Sequence, residues 1–98
     1  MLAADQLIAF APATDLERAR TFYEGVLGLR LVEHNSYACV LDANGTMLRV
    51  TAVAEVGHRD YTVLGWRVLD IQRSVSDLES RGVEFTRYDG MEQDELGI

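Results

Sequence analysis

Two short stretches of the chain repeat one another, and they limit the fold more than anything else in it. Asp15-Leu16 recurs as Asp70-Ile71, 55 positions on, and Gly28-Leu-Arg-Leu31 recurs as Gly82-Val-Glu-Phe85, 54 positions on. Each Asp opens a helical pattern, each Gly closes it, and a strand-like run precedes each helix at similar distance. Two copies of one supersecondary unit is the simplest account of such an offset. The first copy reads strand, helix, strand, strand, strand. The second reads strand, helix, strand, with nothing that reads as its last two strands.

Within the first copy, Leu7–Ala11 reads as a strand whose pairing Pro12 ends. A helix is expected over about 15–26. Thr14 with Glu17 three positions on makes a capping box, and Leu16, Ala19, Tyr23 and Val26 form one apolar stripe that Phe22 widens. Gly28 suits a left-handed exit. Leu29–Glu33 is expected as the second strand, His34–Ser36 as a turn and Tyr37–Leu41 as the third strand. Asp42-Ala-Asn44-Gly45 is the strongest hairpin signal, because Asn-Gly accepts the positive φ values of a tight turn. Thr46–Val53 is then the fourth strand. In the second copy, after a polar linker at Glu55–Asp60, Tyr61–Val68 is the fifth strand. Asp70 caps a helix carrying Ile71, Val75 and Leu78 on one stripe, with Gly82 at its end. Val83–Thr86 is the sixth strand.

Ninety-eight residues suffice for one domain, here 1–98, with a first unit at 1–54, a partial second unit at 60–88 and a loose acidic tail at 89–98. The fold class implied is α+β. No apolar run approaches the roughly 20 residues needed to span a bilayer, and Met1–Asp5 lacks the basic flank and apolar run of a signal peptide. The lone cysteine, Cys39, excludes an internal disulfide and fits a cytoplasmic setting. Net charge is −7, which argues against a nucleic-acid or acidic-membrane partner. All nine bases are arginine.

Strand alternation sorts the side chains. Leu7, Ala9 and Ala11, with Leu48, Val50 and Ala52 and with Leu64, Trp66 and Val68, should pack under the helices. Ile8 and Phe10, Met47, Arg49 and Thr51, and Val63, Gly65 and Arg67 should line the concave side. Arg49 and Arg67 would then form a cationic floor beside Phe10, Ile8, Val63 and Met47, with a hydroxyl from Tyr37. Such a set suits an anionic or polar organic ligand with a flat apolar part. Cys39 reads as a buried core thiol, His34 and His58 as exposed turn histidines, and Asp15 and Asp70 as helix-start acids. No Ser-His-Asp set, Gly-rich phosphate loop or Cys-x-x-Cys pair is present.

The series Asp15-Leu16, Phe22-Tyr23 and Val26-Leu27-Gly28-Leu29 resembles the first helix of the vicinal-oxygen-chelate superfamily. That group holds glyoxalase I, extradiol dioxygenases, fosfomycin-inactivating enzymes and bleomycin-binding proteins. The resemblance implies two βαβββ units forming a curved mixed sheet around a pocket with helices on its convex side. It extends over almost the whole chain, the second unit being incomplete. An incomplete sheet leaves an open edge and an uncovered apolar face, which another chain completes or the tail covers, unless the chain is a fragment; the superfamily's habit of pairing favours a homodimer.

The superfamily's enzymes hold a divalent metal through His, Glu or Gln at fixed strand positions. The resemblance places three of those positions at Ile8, seven before Asp15, at Val63, seven before Asp70, and near Arg49, and the last, a carboxylate, in the missing strands. Two apolar side chains and a cation offer no lone pairs to a metal. A one-residue shift reaches only Leu7, Ala9, Thr62 and Leu64, which are no better. The expectation is therefore a metal-free, cofactor-free small-molecule binding protein, sequestering an anionic or aromatic compound. The alternatives are a metal-dependent lyase, isomerase or dioxygenase whose site a partner chain completes, and a shortened module that acts through dimerisation.

Overall fold

The computed structural model describes residues 1–57, 61–86 and 93–94. It divides into two compact units, Met1–Leu64 and Gly65–Ile98. The expected acidic tail at 89–98 lies almost wholly outside the described residues, as does His58.

A short 3₁₀ turn at Leu2–Ala4 leads into β1 (Ile8–Ala13). Helix α1 (Leu16–Arg20) follows and widens at once into a π turn over Thr21–Val26. Then come β2 (Arg30–His34), β3 (Ala38–Ala43) and β4 (Thr46–Ala52). The four strands make one mixed sheet in the order β1-β4-β3-β2. β1 runs parallel to β4, and the other two pairings are antiparallel. The β3–β4 hairpin therefore lies between β1 and β2, which do not touch.

The hairpin forms where the Asn-Gly pair predicts it. Asn44 has φ 52° and Gly45 φ 94°, between the paired residues Ala43 and Thr46. A positive φ at both central residues gives the turn the twist of its flanking strands. Asp42 Oδ1 accepts the Gly45 N–H at 2.9 Å and secures the turn.

One sheet face is the core. Ala11, Cys39, Leu41, Leu48 and Val50 are buried on it with Ala19 of α1, and Ala9, Leu16, Tyr23, Leu31 and Leu64 pack around them. Leu41 and Leu48 are register partners, as are Cys39 and Val50, so the centre is two rungs of one ladder. At about 25 cal/mol per Å² of apolar area, each fully buried Leu or Val contributes roughly 1.5–3 kcal/mol. The expected inward set holds at Ala9, Ala11, Leu48, Val50 and Leu64. It does not hold at Leu7 or Ala52, both exposed at strand ends, nor at Trp66 and Val68, also exposed.

Several expectations are corrected. Pro12 does not end β1; it is paired with Thr51, and its missing N–H is tolerated because β1 is an edge strand. The cap of α1 is Asp15, not Thr14: Asp15 holds extended backbone, and its Oδ1 accepts the Arg18 N–H at 3.1 Å. Glu17 is thereby one residue too early for a capping box. In the second unit, α2 (Ile71–Ser80) forms as expected behind its cap Asp70, with Gly82 at φ 90° after it. The fifth and sixth strands do not form: neither 61–68 nor 83–86 is paired in a sheet.

No helix among the described residues is long and apolar enough to cross a membrane.

Candidate functional site

The sheet face opposite α1 carries the side chains that alternate with the core set. Register lines them up in rows. Ile8 stands beside Met47, Met47 beside Asp42, and Asp42 beside Arg30. In the next row Phe10 stands beside Arg49, Arg49 beside Val40, and Val40 beside Glu33. Neighbouring strands lie about 4.8 Å apart, so each pair is in side-chain reach. Ile8, Phe10 and Met47 are all substantially exposed, Phe10 at 59%. Apolar side chains thus line the β1 side of this face.

The charges of the face are not equivalent. Arg30 Nη2 lies 3.4 Å from Asp42 Oδ2, so these two neutralise one another. Glu33 Oε1 accepts from Asn35 Nδ2 at 3.3 Å. Arg49 is half-buried and has no carboxylate partner among the described residues. Beside it, Phe10, Ala11, Pro12 and Thr51 surround a shallow hollow of ≈ 230 Å³.

The remaining expected site residues are placed differently. Tyr37 precedes β3 one step out of phase with Ala38 and Val40, which puts it on the Cys39 side of the ladder; it is 76% exposed. Val63 is exposed and belongs to no strand. Arg67 lies in the second unit and is exposed. The four residues brought onto one face are therefore Ile8, Phe10, Met47 and Arg49.

On the α1 side, His34 corrects the expectation of an exposed turn residue. It ends β2, and only 19% of its side chain is exposed. Its Nε2–H donates to Glu17 Oε1 at 2.8 Å, joining the end of the sheet to the first turn of α1. Its Nδ1 is buried with no partner. The signal that sequence reading missed is a bulge. Leu31 pairs with Leu41, but Glu33 pairs with Val40, so Val32 is an extra residue. Strict alternation from Leu31 would turn Glu33 inward; the bulge turns His34 inward instead. An open cleft lined by Thr14, Asp15, Glu17, His34, Asn35 and Ser36 lies beside this pair.

Cys39 is buried, as expected, and burial pushes its thiol above the ordinary value of 9.0, with Arg20 opposing the rise and Glu24 and Glu17 adding to it. A thiol held neutral in this way is a core group, not a nucleophile. Burial likewise raises the Tyr23 phenol, whose ring meets that of Phe22 edge-on at 5.2 Å. Among the described residues, no three of His, Cys, Asp and Glu stand together as a metal-binding group.

The comparisons with known proteins bear on this geometry. A bleomycin resistance determinant encoded on the transposon Tn5 superposes with a TM-score of 0.68 at 21% identity, over 89% of this chain and 72% of that one. A glyoxalase/bleomycin resistance protein/dioxygenase from Alicyclobacillus acidocaldarius gives 0.60 at 21% identity, over 90% and 75%. A glyoxalase family protein from Enterococcus faecalis gives 0.61 at 18% identity, over 92% and 84%. No protein of curated function matches the sequence. At such identities the structural likenesses establish the fold: an open, curled four-stranded sheet with two helices. The sequence model of the Glyoxalase/Bleomycin resistance protein/Dioxygenase superfamily matches residues 7–90, and the chain belongs to that superfamily.

Proposed function

We propose that the protein is a metal-free small-molecule binding protein that takes an anionic or aromatic compound on the β1 side of the sheet face opposite α1, acts in the cytoplasm and works as a homodimer. The observation that carries the reading is Arg49, a cation with no carboxylate partner among the described residues, set among the exposed apolar side chains Ile8, Phe10 and Met47. A guanidinium left without a carboxylate at the edge of an apolar surface is a ready partner for an organic anion, because its planar fork can donate two hydrogen bonds at once.

The positions at which the superfamily's enzymes hold a metal favour binding over catalysis. The resemblance assigns two of them to Ile8 and, approximately, Arg49, neither of which can donate a lone pair, and a third to Val63, which is no better. His34, the one histidine among the described residues, spends Nε2 on Glu17 and has Nδ1 buried. Ile8, Arg49 and Val63 do not fit a metal. Dimerisation is supported by β1, which has one sheet neighbour and an unpaired outer edge among the described residues.

The test is a thermal-shift screen of aromatic anions with the protein in excess EDTA, with mass by light scattering on the same sample. Stabilisation by such compounds in EDTA, on a dimer, is expected. Ligands that stabilise only after zinc, nickel or manganese is restored would replace this reading with a metal-dependent enzyme.

A further inference from the structure

The rows of the sheet face narrow the ligand further. Arg49 has two apolar flanks. Toward one end of the strands it meets Ile8 and Met47; toward the other it meets Phe10, its register partner, and the hollow formed with Pro12 and Thr51. Arg49 and Thr51 are two positions apart on one strand, hence on one face and about 6.8 Å apart. An anion held by Arg49 therefore has its attached group at the mouth of the hollow, against the Phe10 ring.

Size and charge both set limits. At ≈ 230 Å³ the hollow is smaller than the roughly 300–1,000 Å³ of sites that enclose drug-sized ligands, so it suits one ring, not several. Beyond Arg49 the face offers Asp42, already joined to Arg30, and Glu33. A second negative charge on the ligand would meet these carboxylates, and Arg30, the other arginine of the two rows, is already joined to Asp42. A neutral ligand would leave the guanidinium covered and unpaired, which costs more than leaving it in water.

Resting on the binding reading above, we propose that the ligand class is the single-ring aryl monoanion, a benzoate-like molecule whose carboxylate pairs with Arg49 while its ring packs on Phe10 and Pro12. One charge and one ring are both requirements. Larger aromatic compounds and dianions of the same ring are discriminated against by the face itself.

Isothermal titration in EDTA decides the matter, with benzoate, neutral benzyl alcohol and the dianion phthalate as probes. Benzoate is expected to bind at least tenfold more tightly than either of the others. Arg49→Gln should bring benzoate down to the level of benzyl alcohol, and Arg49→Lys should restore part of the preference for the anion. Phe10→Ala should weaken benzoate without changing its ranking above phthalate. Phthalate binding as tightly as benzoate, or benzoate binding unaltered by Arg49→Gln in a variant with wild-type circular dichroism, overturns the proposal. If only multi-ring aromatic compounds bind in EDTA, the single-ring class is wrong and the binding reading stands. If no aromatic compound binds at any charge, both fall.

Discussion

The two halves of the chain begin alike and end differently. Asp15 has φ −131° and ψ 104°, and Asp70 has φ −140° and ψ 100°. Each carboxylate accepts the N–H three residues on, Arg18 in one case and Arg73 in the other, both at 3.1 Å. Each helix exits through a glycine of positive φ, Gly28 at 75° and Gly82 at 90°. Yet the first half builds a four-stranded sheet, while in the second the strand-like runs on either side of α2 pair with nothing among the described residues. The difference lies in the sheet order. β1 and β2, the strands that flank α1 in sequence, are held by β4 and β3 and not by each other. A strand-helix-strand segment of this topology therefore has no sheet of its own until a hairpin enters between its strands. Among the described residues, the second half carries the flanking runs and no counterpart of Ala38–Ala52.

The comparison can be broken most directly by supplying such a hairpin. A second copy of residues 37–53, joined after residue 98 through a flexible linker, should find the place that the first copy occupies in its own unit. Trp66 is the only tryptophan and is 51% exposed. Its fluorescence should shift to the blue, and amides at 65–68 and 83–86 should gain protection of about a hundredfold, the equivalent of roughly 2.7 kcal/mol of local stability. Unchanged Trp66 emission and unchanged exchange would mean that these runs are not strands awaiting partners.

What the sequence made legible follows the same division. The hairpin, both helix starts and both glycine exits depend on a few local residues, Asn44-Gly45, Asp15, Asp70, Gly28 and Gly82, whose backbone preferences act without distant help. The inward-facing set of β1 and β4 was legible too, because two-residue alternation survives wherever the ladder is regular. It failed at His34, where the bulge at Val32 changes the phase, and in 61–68, where alternation is present but pairing is not. Alternation says which faces a strand would have, not whether a neighbour exists to make it a strand. For the candidate site, what was legible is that Ile8, Phe10, Met47 and Arg49 of β1 and β4 share one face. Its expected contributions from Tyr37 and Val63 depended on strand phase and pairing that the fold does not supply.

The two caps sharpen the comparison at smaller scale. Asp15→Ala and Asp70→Ala remove the same hydrogen bond from the same backbone geometry, at a local cost of about 1 kcal/mol each. In the first half Ala19 and Tyr23 tie the helix to the sheet core, so the cost should be felt by the whole unit. Asp15→Ala should lower the thermal midpoint by several degrees, a value set by the entropy of unfolding a small domain. Asp70→Ala should raise exchange within Ile71–Ser80 and move the midpoint of the first unit much less. Equal shifts in the midpoint from both variants would show that the halves unfold as one cooperative block.

The smallest expected effect is alkaline. Cys39 and Tyr23 belong to the core of the first unit, and burial raises both groups above their ordinary values of 9.0 and 10.0. Neither has a counterpart among the described residues of the second unit. The sign follows from proton binding. Above the ordinary thiol value the unfolded chain loses a proton that the folded chain keeps, so the folded state binds more protons and stability falls as pH rises. Stability is full below about pH 9, declines as Cys39 ionises in the unfolded state, and declines further above about pH 10 as Tyr23 joins it, until each raised folded value is passed. Cys39→Ala should flatten the first part of the decline and Tyr23→Phe the second, at the expense of some packing that lowers the whole curve. Exchange in α2 should stay flat over the same range once intrinsic base catalysis is removed. A wild-type midpoint independent of pH from 8 to 11 (limits chosen, roughly, to bracket both ionisations) would mean that the thiol and phenol are not desolvated, and with that the sheet core of the first half would lose its distinction from the second.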